Sequence, residues 1–122
     1  MIGYATLGTN DFEKSGAFYD TLLGELGARR IMEDDHIIVW SNKPGAAMLG
    51  VIKPHNGEPA TVGNGMMIAL LVKDLATIEI LHAKALEMGG TDEGAPGPRG
   101  NNMSFGYVRD LDGNKLAFYC MG

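Results

Sequence analysis

Residues 4–27 read YATLGTNDFEKSGAFYDTLLGELG, and a change of period inside this stretch decides the fold. Tyr4 to Thr9 has the length and residue types of a strand and stops at Asn10-Asp11. Beyond it Phe12, Phe18, Leu22 and Leu23 recur at helical rather than alternating spacing. Asp11 is therefore the expected helix N-cap, and Gly24 and Gly27 the expected close. Ala28 to Met32, His36 to Ser41 and Ala47 to Lys53 follow as three strands, separated by Glu33-Asp34-Asp35 and Lys43-Pro44-Gly45. The order β, α, β, β, β makes a first module of about residues 1–55. Residues 54–65, rich in Pro, Gly and Asn, read as a connection.

The same pattern then begins again in register, giving a second module of about residues 65–122. Adding 63 to the residue number carries Leu7 onto Leu70, Asp11 onto Asp74, Phe12 onto Leu75, Phe18 onto Leu81, Leu23 onto Leu86 and Gly27 onto Gly90. Leu75, Ile78, Leu81, Ala85 and Leu86 form one apolar helical stripe, stopped by Gly89-Gly90. Met103 to Arg109 and Lys115 to Cys120 are strands joined through Asp110-Leu111-Asp112-Gly113, a tight-turn sequence. A short strand near Thr91 to Glu93 completes the module, and Gly94 to Asn102 is expected as a surface loop because of its Gly and Pro content.

With 122 residues and 45% hydrophobic content, the chain suits one domain spanning 1–122, burying about two-thirds of its unfolded surface. The net charge of −5 and the lack of a Lys/Arg cluster exclude nucleic acid as a partner. The strongest apolar runs, Met66 to Val72 and Ile37 to Trp40, fall far short of the roughly 20 residues a bilayer span needs. With Met1 opening directly into structure, a cytoplasmic protein without a membrane partner is expected. The single cysteine, Cys120, makes no intramolecular disulfide and reads as a small apolar strand residue.

Asp11-Phe12-Glu13-Lys14-Ser15, Phe18-Tyr19 and Leu23-Gly24 resemble the first strand and helix of the vicinal oxygen chelate superfamily, which includes glyoxalase I, extradiol dioxygenases and bleomycin-resistance proteins. Asp110-Leu111-Asp112-Gly113-Asn114 resembles its terminal hairpin, where the second residue is commonly proline. The resemblance implies an α+β fold: two βαβββ modules in an open curled mixed sheet, a cup with the helices outside, commonly a homodimer. It also implies four metal-ligand positions on the cup's inner face. Counting from the capping aspartates places two of them at Tyr4 and Met67; the terminal motif places a third at Ala117, and the last falls at about Gly50. Gly and Ala have no donor atom, a thioether is soft, and a phenol is a poor ligand for a hard cation. The neighbours Ala5, Ile68, Leu116 and Val51 are apolar too. No metal is therefore expected among these residues, and no cofactor.

Strand alternation puts Tyr4 with Thr6, Met48 with Gly50 and Ile52, Met67 with Ala69 and Leu71, and Ala117 with Tyr119. If these faces line the cup, it is an apolar wall with two phenols, suited to a small organic molecule. Plain core filling is the alternative for Met67, Ala69 and Leu71. Trp40 reads as pocket or as core, with core the stronger reading, and Tyr107 with Phe105 as cup wall or helix-packing side. Arg99, in a Gly/Pro-rich segment, is either an anion-attracting group at the mouth or a solvated side chain. His36, His55 and His82 read as solvated and separate, and no nucleophile elbow, HExxH or phosphate loop is present.

Three functions compete. The first is a metal-free module that binds a small organic molecule. The second is a glyoxalase-like lyase or dioxygenase with metal ligands at unusual positions such as Glu33, His36, His55 or Glu58. The third is a metal-independent isomerase or lyase with Tyr4 or Tyr119 as its acid, for which no partner base is evident.

Overall fold

A computed structural model describes residues 1–122, which divide into two compact units, Met1–Val62 and Gly63–Gly122. The first contains β1 (Tyr4–Gly8), α1 (Phe12–Gly24), β2 (Arg29–Glu33), β3 (Ile37–Ser41) and β4 (Met48–Ile52). The second contains β5 (Ile68–Leu71), α2 (Leu75–Glu87), β6 (Thr91–Pro98), β7 (Met103–Arg109) and β8 (Lys115–Met121). Each unit is βαβββ and each sheet is open, with orders β1-β4-β3-β2 and β5-β8-β7-β6. The pairs β1 with β4 and β5 with β8 are parallel, and the remaining neighbours are antiparallel. The fold is the expected α+β class.

The two helices start in the same way. Asp11 accepts the backbone N–H of Lys14 at 3.1 Å, and Asp74 accepts the backbone N–H of Thr77 at 2.9 Å and the Thr77 hydroxyl at 2.6 Å. Each satisfies an amide the first turn would otherwise leave unpaired. Gly27, at φ +75°, and Gly89, at φ +100°, turn the chain after each helix in a conformation a side chain would strain.

In the first unit Phe18, Tyr19, Leu22 and Leu23 of α1 are buried, as are Leu7, Ile38, Trp40, Leu49 and Val51 of the sheet. In the second, Ile78, Leu81 and Ala85 of α2 are buried, as are Val108, Leu116 and Phe118. Gly106 lets α2 come close, since a Cβ there would stand 2.9 Å from Ile78 Cγ2. Each fully buried Leu, Ile or Phe contributes about 1.5–3 kcal/mol by leaving water.

Three expectations need correction here. Residues 94–98, expected as loop, continue β6 to eight residues. Pro96 and Pro98 are tolerated because β6 is the sheet's edge, and two register shifts absorb the irregular backbone. His82, expected as solvated, is buried on the sheet side of α2, and its Nε2 stands 3.0 Å from Asp92 Oδ1 of β6. Leu86, expected in the buried stripe, is exposed instead. No helix is long and apolar enough to cross a membrane.

Candidate functional site: two open sheet faces

Each sheet turns one face to its helix and leaves the other uncovered within its own unit. In the first unit Tyr4 pairs with Met48 and Thr6 with Gly50, and Gly50 in turn with Val39 of β3. A Cβ on Gly50 would lie 3.5 Å from Thr6 Cγ2 and 3.3 Å from Val39 Cγ2, which puts all three on the open face. Tyr4 is 58% exposed there. At the end of this face a cleft of about 720 Å³ takes in Met48, Ile31, Arg29, Ser41 and Lys43.

Trp40 does not belong with them. It is buried on the helix side, where its ring tilts against Tyr19 at 5.8 Å and its Nε1–H donates to Asp20 Oδ1 at 2.9 Å. Arg30 holds the same carboxylate at 2.8 Å and Glu33 at 2.9 Å, while its guanidinium lies 5.7 Å from the Trp40 ring centroid. The Arg30 contact keeps the Asp20 carboxyl below its ordinary pKa. Trp40 is thus a core residue with a satisfied polar tip, and Glu33 is tied to Arg30.

The second unit's open face is aromatic. Gly106 faces α2, so alternation turns Phe105 and Tyr107 away from it. Tyr107 pairs with Ala117 and Phe105 with Tyr119 on β8; Ala69 and Leu71 of β5 pair with the same Ala117 and Tyr119. Met67 directly precedes β5 and is 38% exposed. Phe105 stacks between both phenols, with centroids 5.6 Å from Tyr107 at 6° and 5.3 Å from Tyr119 at 15°. Gly94 on β6 makes room for this row, since a Cβ there would meet Tyr107 Cδ2 at 2.8 Å.

Two cations flank the row. Arg99 stands 5.9 Å from the Tyr107 centroid and Lys115 5.2 Å. Arg99 is curled back on β6, donating from Nη1 to the carbonyls of Gly97 and Pro98 and from Nη2 to that of Ala95. Arg109, next along β7, is paired with Glu93 at 2.8 Å, which holds the Glu93 carboxyl below its ordinary pKa. Tyr107, Tyr119 and Arg99 were among the residues expected at a pocket, with the facing of Tyr107 and Phe105 left open, and Lys115 was not among them. Phe105 was signalled by its alternation with Tyr107.

The terminal turn is structural. Asp110 accepts the backbone N–H of Asp112 and of Asn114, each at 2.9 Å, and the Asn114 side-chain amide at 3.0 Å. Two histidines expected apart, His36 and His55, line one cleft of about 480 Å³ with Glu58, Lys53 and Phe12. His36 also stands beside Asp34 and Asp35, all exposed. At the four positions where the resemblance implies metal ligands, this chain offers the Tyr4 phenol, the Met67 thioether and no donor at Gly50 or Ala117. The flanking Val51 and Leu116 are in the core. No imidazole or carboxylate stands at any of the four.

Among curated proteins none matches the sequence. Solved structures do. A glyoxalase/bleomycin resistance protein from Albidiferax ferrireducens is 33% identical over 100% of this chain and 99% of its own, with a TM-score of 0.91. A glyoxalase-related enzyme from Fulvimarina pelagi is 22% identical, covering 98% and 87%, with a TM-score of 0.78. A lactoylglutathione lyase from Agrobacterium tumefaciens is 18% identical, covering 98% and 92%, with a TM-score of 0.70; at that identity only the fold is shared ground. A sequence model of one family spans residues 1–118, and with the paired βαβββ units it settles the assignment: the chain belongs to the Glyoxalase/Bleomycin resistance protein/Dioxygenase superfamily.

Proposed function

We propose that this protein is a glyoxalase/bleomycin-resistance-like binder of a small organic molecule that works without the family's divalent metal. The observation carrying this reading is the donor set at the four implied ligand positions, Tyr4, Gly50, Met67 and Ala117, which cannot hold a hard cation. What those faces offer instead is apolar and aromatic surface with a few polar groups, the wall that holds small organic ligands. The reading places the protein in the cytoplasm as a homodimer. Cys120 is free and buried, as suits a reducing compartment. Exposed Ile31, Met32 and Leu71 give a second copy apolar surface to cover.

Elemental analysis tests the reading on protein purified without a metal-affinity tag, incubated with Zn, Ni, Mn and Fe(II), then gel-filtered. The expected result is no retained metal. Stoichiometric retention overturns it in favour of a metal-dependent lyase or dioxygenase with ligands at unusual positions. That second reading is favoured by one observation, the shared cleft of His36, His55 and Glu58.

A further inference from the structure

The second unit's open face carries more positive charge than an apolar wall needs. Two cations, Arg99 and Lys115, stand 5.9 and 5.2 Å from the Tyr107 centroid, and a third, Arg109, is the strand partner of Lys115, in a chain whose net charge is −5. Glu93 is the acid whose field reaches Lys115, and its carboxylate is occupied by Arg109 at 2.8 Å. Arg99 and Lys115 therefore share one ring without a carboxylate of their own. The three carbonyl contacts of Arg99 fix its guanidinium and leave Nε–H and one Nη2–H without a protein acceptor. Two donors are the number a forked carboxylate contact uses. Beside them Tyr107, Phe105 and Tyr119 present nearly parallel rings. Parallel rings favour a flat partner over a bulky saturated one.

We propose that the ligand of this face is a flat conjugated organic anion, an aromatic carboxylate in chemical class, whose ring lies along the Tyr107–Phe105–Tyr119 row and whose carboxylate meets Arg99 and Lys115. The assignment rests on the small-molecule reading above and specifies its ligand. All the groups it uses come from one unit, and the charge complementarity is local: the free cations lie where the rings are. The ligand's negative charge answers Arg99 and Lys115, whose neighbouring acid Glu93 is held by Arg109, and its π-face answers the row.

The test is an NMR titration of the full chain with 2-naphthoate, 2-naphthamide and cyclohexanecarboxylate, in wild type and in Arg99→Gln and Lys115→Gln. Naphthoate is expected to shift the ring signals of Phe105, Tyr107 and Tyr119 saturably. Its affinity should fall about tenfold in either variant, and fall again as salt rises. The amide and the saturated acid should each bind at least about tenfold more weakly than naphthoate. If the amide binds these rings as tightly as the acid, the anion assignment is overturned while small-molecule binding stands. Equal binding of cyclohexanecarboxylate removes the requirement for a flat ring in the same way. If none of the three compounds moves a signal on this face, the ligand assignment is overturned, while the metal analysis decides the binding reading separately.

Discussion

The two units share a frame but place their chemistry differently. On its α1 side the first unit holds a buried tryptophan beside a partly exposed ion cluster of Asp20, Arg30 and Glu33, while on its other face Thr6 and Tyr4 are exposed and Gly50 and Val39 are buried between their neighbours. On its α2 side the second unit has the polar link of His82 to Asp92, while its open face carries three stacked rings and two cations, Arg99 and Lys115, beside Tyr107. A duplicated scaffold has thus put an indole tied to an ion cluster on the helix side of one copy and a row of three stacked rings flanked by cations on the open side of the other. The lesson is that a residue's type does not tell its role until its face is known. Trp40 and Tyr107 are both aromatics with a cation nearby, yet only Tyr107 is reachable.

The largest effect that distinguishes them is on stability. Trp40→Ala should cost about 3–5 kcal/mol, because it opens a cavity under α1 and removes the indole donor from Asp20. Tyr107→Leu, on a partly exposed face, should cost about 1 kcal/mol or less. Urea denaturation of both checks this, and comparable losses would mean that Tyr107 is as structural as Trp40. A smaller effect separates the two helix–sheet junctions: Gly106→Ala should destabilise the second unit by about 1–3 kcal/mol, because the new Cβ presses on Ile78 at 2.9 Å. A Tm unchanged from wild type would show that α2 can move away.

Much of this was legible in the sequence, and the exceptions have physical reasons. The period change at Asp11 and its echo at Asp74 locate both helices, since an N-cap needs a side-chain acceptor at one position. β6 was hidden because Gly and Pro signal loops in general but are admissible on an edge strand. His82 was hidden because a histidine on a helix flank usually points to water. The repeat contained the missing signal, because the offset of 63 places His82 on Tyr19, which is fully buried. The facing of Trp40 was not readable, since Ile38, Val39 and Trp40 are all apolar and all buried. For the open faces, alternation brought Tyr4 to Thr6 and Ala117 to Tyr119. It could not show where the long side chains of Arg99 and Lys115 curl.

A third change is expected to stabilise. Ser15 lies within α1 with its hydroxyl buried and without a hydrogen-bond partner. A buried orphan of this kind costs about 1–3 kcal/mol, so Ser15→Ala should raise stability by about 1 kcal/mol. Thermal unfolding of that variant reads the sign directly, and a loss would mean that the hydroxyl has a partner in solution.

The smallest effect separates the two junction carboxylates by what depresses them. Asp20 is held below its ordinary pKa first by its hydrogen bond to Arg30, whereas Asp92 is held down first by the backbone N–H of Gly94 and only then by His82. A carboxyl whose folded pKa lies below its unfolded value adds stability above about pH 4, and that stability is lost as pH falls through the folded value. Both contributions should therefore fade in acid below about pH 4, but they should respond differently to loss of the partner side chain. Arg30→Gln should let the Asp20 pKa rise toward its ordinary value, because the side chain that depresses it most is gone. His82→Gln should leave Asp92 low, because the Gly94 amide, 2.9 Å from Asp92 Oδ1, remains in place. Carboxyl NMR titration of the two variants measures both. If Asp92 rises as far as Asp20, then His82 rather than the turn of β6 sets its ionisation, and the two junctions are electrostatically alike despite their different residues.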